Sequence, residues 1–389
     1  MRSSLLLFLP ALIAVAGFET ALALASPLIS LRLEENGTAT SLIGLVAAAY
    51  SVGYLGGTQV CRYLIARFGA RPTVAALALL GALSLLAHAV LFDVLFWLVL
   101  STICGFAMAG IYIIAESLLN RLASRGNRGR LYGIYMTVSW LTAGASPVAV
   151  LAEGTGGVIS FIVASGLMGL AILPVLISRK TPLPVPASGG FSMTHFRAVP
   201  PVALAICLGS GIVNGGLHGL LPSYAVATGL DMNELSLMLT VAAVAGIAGQ
   251  FPIGHLSDRA VERIAVAKAV VALGLVLGLA LYAMSGTGFM MMLGLFGLLT
   301  AILAPIYGLG AALANDRDLG GCTMATTGAL LFVNGIGNII GPVGAGIAMQ
   351  IFGPSGLFLF LSAAAALIGV VIANQNRLER AWLVVPSLR

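Results

Sequence analysis

The sequence predicts an all-α integral membrane protein, with twelve transmembrane helices in two pseudo-symmetric six-helix bundles. Three observations lead there. Of 389 residues, 59% are hydrophobic and only 8% charged, where a soluble domain carries about 25% charged residues. The apolar residues form long uninterrupted runs instead of alternating, which fits spanning helices and not a barrel. The second half of the chain also repeats features of the first. So little charge cannot clothe a soluble enzyme, a nucleic-acid binder or a disordered chain. The net charge of +6 therefore needs a topological explanation, and no nucleic-acid partner is expected.

A spanning helix needs about 20 predominantly apolar residues. Cutting the chain at its polar clusters yields runs at 5–31, 40–61, 73–92, 95–119, 131–152 and 157–178, then at 200–224, 235–256, 264–285, 288–313, 323–350 and 355–374. The first run, with Arg2 ahead of it and Ala23-Leu24-Ala25 within it, resembles a cleavable signal. It continues apolar to Leu31, so it is read as a span. Between the sixth and seventh runs lies the longest hydrophilic stretch, stiffened by Pro182, Pro184 and Pro186 and loosened by Gly189-Gly190. The expected organisation is an N-terminal bundle over 1–178, a cytoplasmic linker over 179–199, a C-terminal bundle over 200–374 and a cytoplasmic tail over 375–389.

Basic residues set the orientation. With both termini cytoplasmic, 18 of the 19 Lys and Arg fall on cytoplasmic segments, and Arg32 alone does not. The expected location is the inner or plasma membrane, as a multi-pass and monomeric protein surrounded by lipid. The four cysteines lie apart in apolar stretches and the histidines do not cluster, so neither a disulfide framework nor a metal site is expected.

The halves align. Glu19 lies eight residues before Pro27 and Asn214 eight before Pro222, an offset of 195 that also carries Pro147 to Pro342. The loop after the second span matches at 192, with Leu64-Ile65-Ala66-Arg67 over Leu256-Ser257-Asp258-Arg259. Internal duplication is a transporter hallmark, and it places the solute site where the repeats meet.

These loops carry a family resemblance over essentially the whole chain. The first reads Arg62-Tyr63-Leu64-Ile65-Ala66-Arg67-Phe68-Gly69-Ala70-Arg71, and the second reads Gly254-His255-Leu256-Ser257-Asp258-Arg259-Ala260-Val261-Glu262-Arg263. Both resemble the Gly-x-Leu-x-Asp-Arg-x-Gly-Arg-Arg loop of the major facilitator superfamily. The first lacks the leading Gly and the Asp, and the second lacks the inner Gly. Ala115-Glu116-Ser117-Leu118-Leu119-Asn120 with Asn127-Arg128-Gly129-Arg130 is similar to a further signature of that family, and its wording resembles the YcaD-like bacterial branch. The resemblance implies a secondary transporter and not an enzyme, with a proton gradient in place of a cofactor. It implies gating roles for Arg67, Gly69, Arg71, Glu116, Arg128, Gly254, Asp258, Arg259 and Arg263. Physically, an acid and a base on facing helix ends can latch one conformation with about 0–1 kcal/mol; equally, arginines at these places satisfy topology alone.

Ionisable groups at membrane depth are costly and so become functional candidates. Of thirteen acids, eleven fall in loops, Glu116 sits near the inner edge of span 4, and Glu19 lies at the middle of span 1. A carboxyl removed from water with no cation beside it holds its proton tightly. Glu19 is thus a proton-coupling candidate; a permanently protonated packing residue is the competing reading. Asn214 and His218 share a face of span 7, and Asn334 and Asn338 share one on span 11. With Tyr112 and Trp140 they are substrate-cavity candidates. No core Lys or Arg awaits a multiply charged anion, so a small neutral, amphipathic or cationic solute is expected. Gly144-x-x-Pro147 resembles part of an exporter motif and tilts the expectation toward efflux. Translocation of lipid or a lipid precursor, and a non-transporting sensor, stay open as alternatives. Pro147, Pro305, Pro27, Pro222 and Pro342 are expected to bend or break their helices.

Overall fold

The computed structural model describes residues 2–122, 128–153, 158–178, 196, 199–284, 286, 288–316 and 323–375. Among these the chain is helical throughout, with no strand. The first half contains α1 (Arg2–Glu35), α2 (Thr40–Phe68), α3 (Ala70–Val90), α4 (Val94–Leu122), α5 (Arg128–Ala143), α6 (Ala145–Glu153), α7 (Ile159–Ala171) and α8 (Leu173–Ile177). The second contains α9 (Pro201–Ala227), α10 (Met232–Arg259), α11 (Arg263–Ala283), α12 (Phe289–Leu303), α13 (Ile306–Asn315), α14 (Thr323–Phe352) and α15 (Gly356–Ala373). Eleven helical stretches among the described residues are long and apolar enough to cross a membrane. The pair α5–α6 completes twelve.

The breaks have local causes. Span 5 divides at Gly144, three residues ahead of Pro147, span 6 at Ile172 just before Pro174, and span 10 at Ala304-Pro305. Proline removes a donor and its ring clashes with the carbonyl four residues back. Pro27, Pro222 and Pro342 behave otherwise: each lies inside a continuous helix. Two helix starts carry side-chain caps. Asp93 accepts from the amides of Leu95 (2.9 Å) and Phe96 (3.0 Å) at the head of α4. Asp231 and Glu234 form a reciprocal capping box at the head of α10, with bonds of 2.8 and 3.0 Å.

By contacts the chain divides into two units, one of residues 1–38 and 49–190, the other of residues 39–48 and 191–389. Within each, glycines let helix backbones meet, the usual route to tight packing where lipid removes the hydrophobic drive. The contacts recur in matched positions. Gly53 of α2 abuts the Thr102 backbone of α4, as Gly249 of α10 abuts the Ala301 backbone of α12. Gly17 of α1 faces Ala171 of α7, as Gly209 of α9 faces Ile368 of α15. Gly81 of α3 faces Met168 of α7, as Gly278 of α11 faces Ser362 of α15. The duplication sensed in sparse identities is therefore a repeat of packing.

In the second unit, α9 and α14 interlock through two Gly-x-x-x-Gly pairs. Gly211 and Gly215 lie against the backbone of Asn334 and Asn338, while Gly337 and Gly341 lie against Leu208 and Ile212. The first turns of α2 belong to this unit as well: Gly44 meets the Pro342 backbone, and Gly346 meets that of Thr40. Each unit also has an aromatic cluster, formed in the second by Tyr224, Phe296 and Phe358 and in the first at the end away from its arginine-rich loops. There His88 stacks on Phe161 at 6.0 Å and packs beside the fully buried Trp97 at 5.2 Å. Arg32, the base outside the cytoplasmic set, lies 5.2 Å over the Phe161 ring and donates to the His88 carbonyl at 3.3 Å.

Candidate functional site

Glu19 occupies the middle of α1, half-buried, and its carboxylate is ringed by hydroxyls from two other helices of the first unit. The Tyr112 hydroxyl on α4 donates to Oε1. Ser139 on α5 donates to the same oxygen at 2.9 Å. Thr142, one turn further along α5, lies with its hydroxyl 2.9 Å from Oε2 and 2.7 Å from the Ser139 carbonyl. One turn beyond Glu19, Ser146 of α6 donates to the Ala23 carbonyl at 2.8 Å, fixing the broken fifth span against α1. The Tyr112 ring meets Tyr54 of α2 edge-on at 6.0 Å, so an aromatic wall adjoins the carboxyl. No Lys, Arg or His forms an ion pair with Glu19 among the described residues. A lone carboxyl held by neutral donors can bind and release a proton without breaking an ion pair.

The structure thus joins two residues singled out from sequence, Glu19 and Tyr112, and adds two that were missed, Ser139 and Thr142. Their signal was faint: Ser139, Thr142 and Ser146 recur at spacings of three and four, so they share one helix face. Trp140 belongs to α5, but its side chain lies outside the described residues, as does that of Arg128.

The candidates of the second unit are arranged differently. Asn214 is half-buried and donates to Ser210 at 3.4 Å on its own helix. His218 is exposed one turn away and makes no hydrogen bond among the described residues. Asn334 donates to the Cys207 carbonyl of α9 at 3.0 Å, and Asn338 donates to the Asn334 carbonyl (3.0 Å) and side-chain oxygen (3.1 Å). The Asn334 amide bridges the glycine-lined α9–α14 seam, the Asn338 amide bonds within α14, and His218 stands exposed.

At the arginine-rich loops the two repeats solve one problem in two ways. Gly69 joins α2 to α3 alone, with φ +87° and ψ 157°, a conformation open to glycine. Val261 stands in the second repeat where the inner Gly is absent, and there the connection runs over three residues, Ala260 and Glu262 both extended. Arg71 donates to the Ser178 carbonyl at 2.8 Å, fastening the start of α3 to the end of the sixth span. Its counterpart Arg263 pairs with Asp258 at 3.1 Å and with Asp316, after α13, at 2.9 Å. Asp258 therefore engages Arg263 and not its neighbour Arg259, and Asp316 enters as a partner the sequence did not suggest. Arg67 donates to Tyr63 at 2.9 Å and lies 5.5 Å over the Phe68 ring. Glu116 is exposed on α4 within electrostatic reach of Arg62. A Cβ at Gly254 would meet nothing.

The chain matches the Major Facilitator Superfamily over residues 11–325. The MFS-type transporter YcaD of Escherichia fergusonii is 28% identical over 349 residues, covering 88% of each chain. YcaD of Salmonella typhimurium matches to the same extent. Among solved structures, a point variant of the nucleoside transporter NupG superposes with a TM-score of 0.76 at 13% identity, over 95% of this chain and 99% of that one. A bacterial homolog of the human lysosomal transporter Spinster, inward-facing and unoccupied, superposes at 0.72 with 14% identity over 98% of both chains. Such low identities establish a shared fold.

Proposed function

The chain belongs to the major facilitator superfamily and is a secondary transporter, and on that premise we propose that it couples proton movement to a small neutral, amphipathic or cationic solute, in the efflux direction. The observation that carries this reading is the Glu19 site. It is a carboxyl in the middle of a spanning helix, held by Tyr112, Ser139 and Thr142 and without an ion-pair partner among the described residues. Because no ion pair among the described residues holds this carboxyl, uptake or release of a proton there can be linked to occupancy by a solute. The adjoining Tyr54 and Tyr112 rings supply apolar area and a π face to an amphipathic or cationic guest.

The excess of arginines on alternate loops supports an inner-membrane protein with both termini cytoplasmic. In that frame Arg263, Asp258 and Asp316 lie at the cytoplasmic ends of their helices and bias the alternating-access equilibrium. The test is flux in proteoliposomes under an imposed pH gradient, with solutes first selected by thermal shift on the purified protein. Proton-driven flux that disappears in Glu19→Gln supports the assignment. Flux that ignores the gradient in the native protein refutes the coupling, and flux of labelled lipid in place of solute refutes the solute class.

A further inference from the structure

Helix α2 has two different faces. Tyr50 and Tyr54 lie on one, while Val52, Gly56, Val60, Tyr63 and Arg67, spaced by three and four residues, share the opposite one. All five of the latter are exposed, and a Cβ at Gly56 would meet nothing, so the stripe is open along its length. From Val52 to Tyr63 it rises about 16 Å at about 1.5 Å per residue. That is the depth of one leaflet, half of a hydrocarbon core about 30 Å thick. Arg67 stands one turn further, beside two exposed aromatic rings of the kind that settle at the headgroup level, Tyr63 (59% exposed) and Phe68 (60%).

The Arg67 guanidinium is held in place without being neutralised. It donates to the Tyr63 hydroxyl at 2.9 Å and lies 5.5 Å over the Phe68 ring, which leaves most of its five N–H donors unused. No carboxylate pairs with it among the described residues. Ala66 stands where the resembled loop pattern has its Asp. Other loop bases find partners inside the protein: Arg71 takes the Ser178 carbonyl, and Arg263 takes Asp258 and Asp316. Topology accounts for a base at the end of a span, but it does not call for a hydroxyl and a ring to orient that base.

We propose that Arg67 and this stripe bind one anionic phospholipid of the surrounding membrane, its phosphate on the guanidinium and an acyl chain along Val60, Gly56 and Val52. A guanidinium matches phosphate with two parallel charge-assisted hydrogen bonds. The absent Asp sets the preference. An acid beside Arg67 would repel a phosphate and attract the cationic end of a zwitterionic headgroup, whereas Ala66 leaves the anion alone to be recognised. In the orientation proposed above, this end of α2 meets the cytoplasmic leaflet, whose anionic lipids are drawn to bases near its surface. The site lies on the face of α2 away from Tyr54, so it does not depend on what Glu19 carries.

Native mass spectrometry of the purified full chain, titrated in detergent with phosphatidylglycerol, reads the occupancy. The native protein is expected to retain phosphatidylglycerol in preference to phosphatidylcholine. Arg67→Gln should weaken that binding about fivefold, the worth of one arginine near an anionic membrane surface. Tyr63→Phe keeps the ring and the charge but frees the guanidinium, and should weaken it by less. Ala66→Asp should erase the preference over phosphatidylcholine. Arg259→Gln removes the same charge from the second loop, where the residue one turn back is His255, stacked on Phe251 at 5.9 Å, and no tyrosine hydroxyl braces the base; it should leave binding unchanged. The four substituted side chains are exposed, so the fold tolerates these changes. Unchanged binding in Arg67→Gln, an equal loss in Arg259→Gln, or displacement of the lipid by inorganic phosphate overturns the proposal. The first removes the guanidinium from the site, the second reduces it to general charge attraction, and the third makes it a site for a free anion.

Discussion

Arg263→Gln is the perturbation that most directly tests the loop latch. Arg263 is 27% exposed and pairs with Asp316 (49% exposed, 2.9 Å) and with Asp258 (71% exposed, 3.1 Å). Solvent-accessible pairs of this kind contribute about 0–1 kcal/mol each after the side-chain entropy of holding them is counted. Removing both therefore changes the balance between conformations by at most about 2 kcal/mol, up to about thirtyfold in an equilibrium constant. The less exposed and shorter contact should dominate, so Asp316→Asn is expected to alter turnover more than Asp258→Asn. The double variant should fall short of the sum, since both acids share one guanidinium. Screening gives an independent check. At about 1 M salt the Debye length shrinks to about 3 Å, so native and variant turnover should converge. Initial rates of counterflow in proteoliposomes at low and high salt measure this. A variant effect undiminished at high salt, or Asp258→Asn exceeding Asp316→Asn, would refute the electrostatic latch.

Three further predictions concern glycine. Gly69→Ala places a Cβ in a backbone conformation that costs about 1–3 kcal/mol for other residues, so the thermal midpoint of the detergent-solubilised protein should fall; no change would mean that the α2–α3 connection relaxes freely. Gly341→Ala drives a methyl into the Ile212 backbone and should destabilise by about 1–3 kcal/mol as overpacking does. Gly254→Ala meets open space and should stabilise by up to about 1 kcal/mol through helix propensity. The same thermal assay separates them, and equal shifts in both would contradict the interlocked α9–α14 seam.

Glu19 was legible in the sequence because membrane depth makes a single carboxyl conspicuous, and the twelve spans were legible because their lengths match the bilayer. Ser139 and Thr142 were hidden for a physical reason. Hydroxyls in spanning helices commonly bond their own backbone, as Thr20, Thr102 and Thr240 do with the carbonyls four residues back, so a Thr in an apolar run announces no long-range partner. Asp316 was hidden because an acid beside Arg317 and Asp318 reads as an ordinary solvated loop. Asn334 and Asn338 stood out by polarity, yet polarity does not foretell that the Asn334 amide bonds across the α9–α14 seam while that of Asn338 bonds within α14. The prolines divided: Pro147 and Pro305 lie by helix breaks, whereas Pro27, Pro222 and Pro342 lie within continuous helices.

Glu19 is the residue proposed to carry the coupled proton. Its most direct test compares native protein and Glu19→Gln in proteoliposomes, recording solute flux driven solely by an imposed pH gradient alongside gradient-free counterflow. Glu19→Gln is expected to retain counterflow and to lose gradient-driven accumulation. Accumulation at the native level in Glu19→Gln would contradict it.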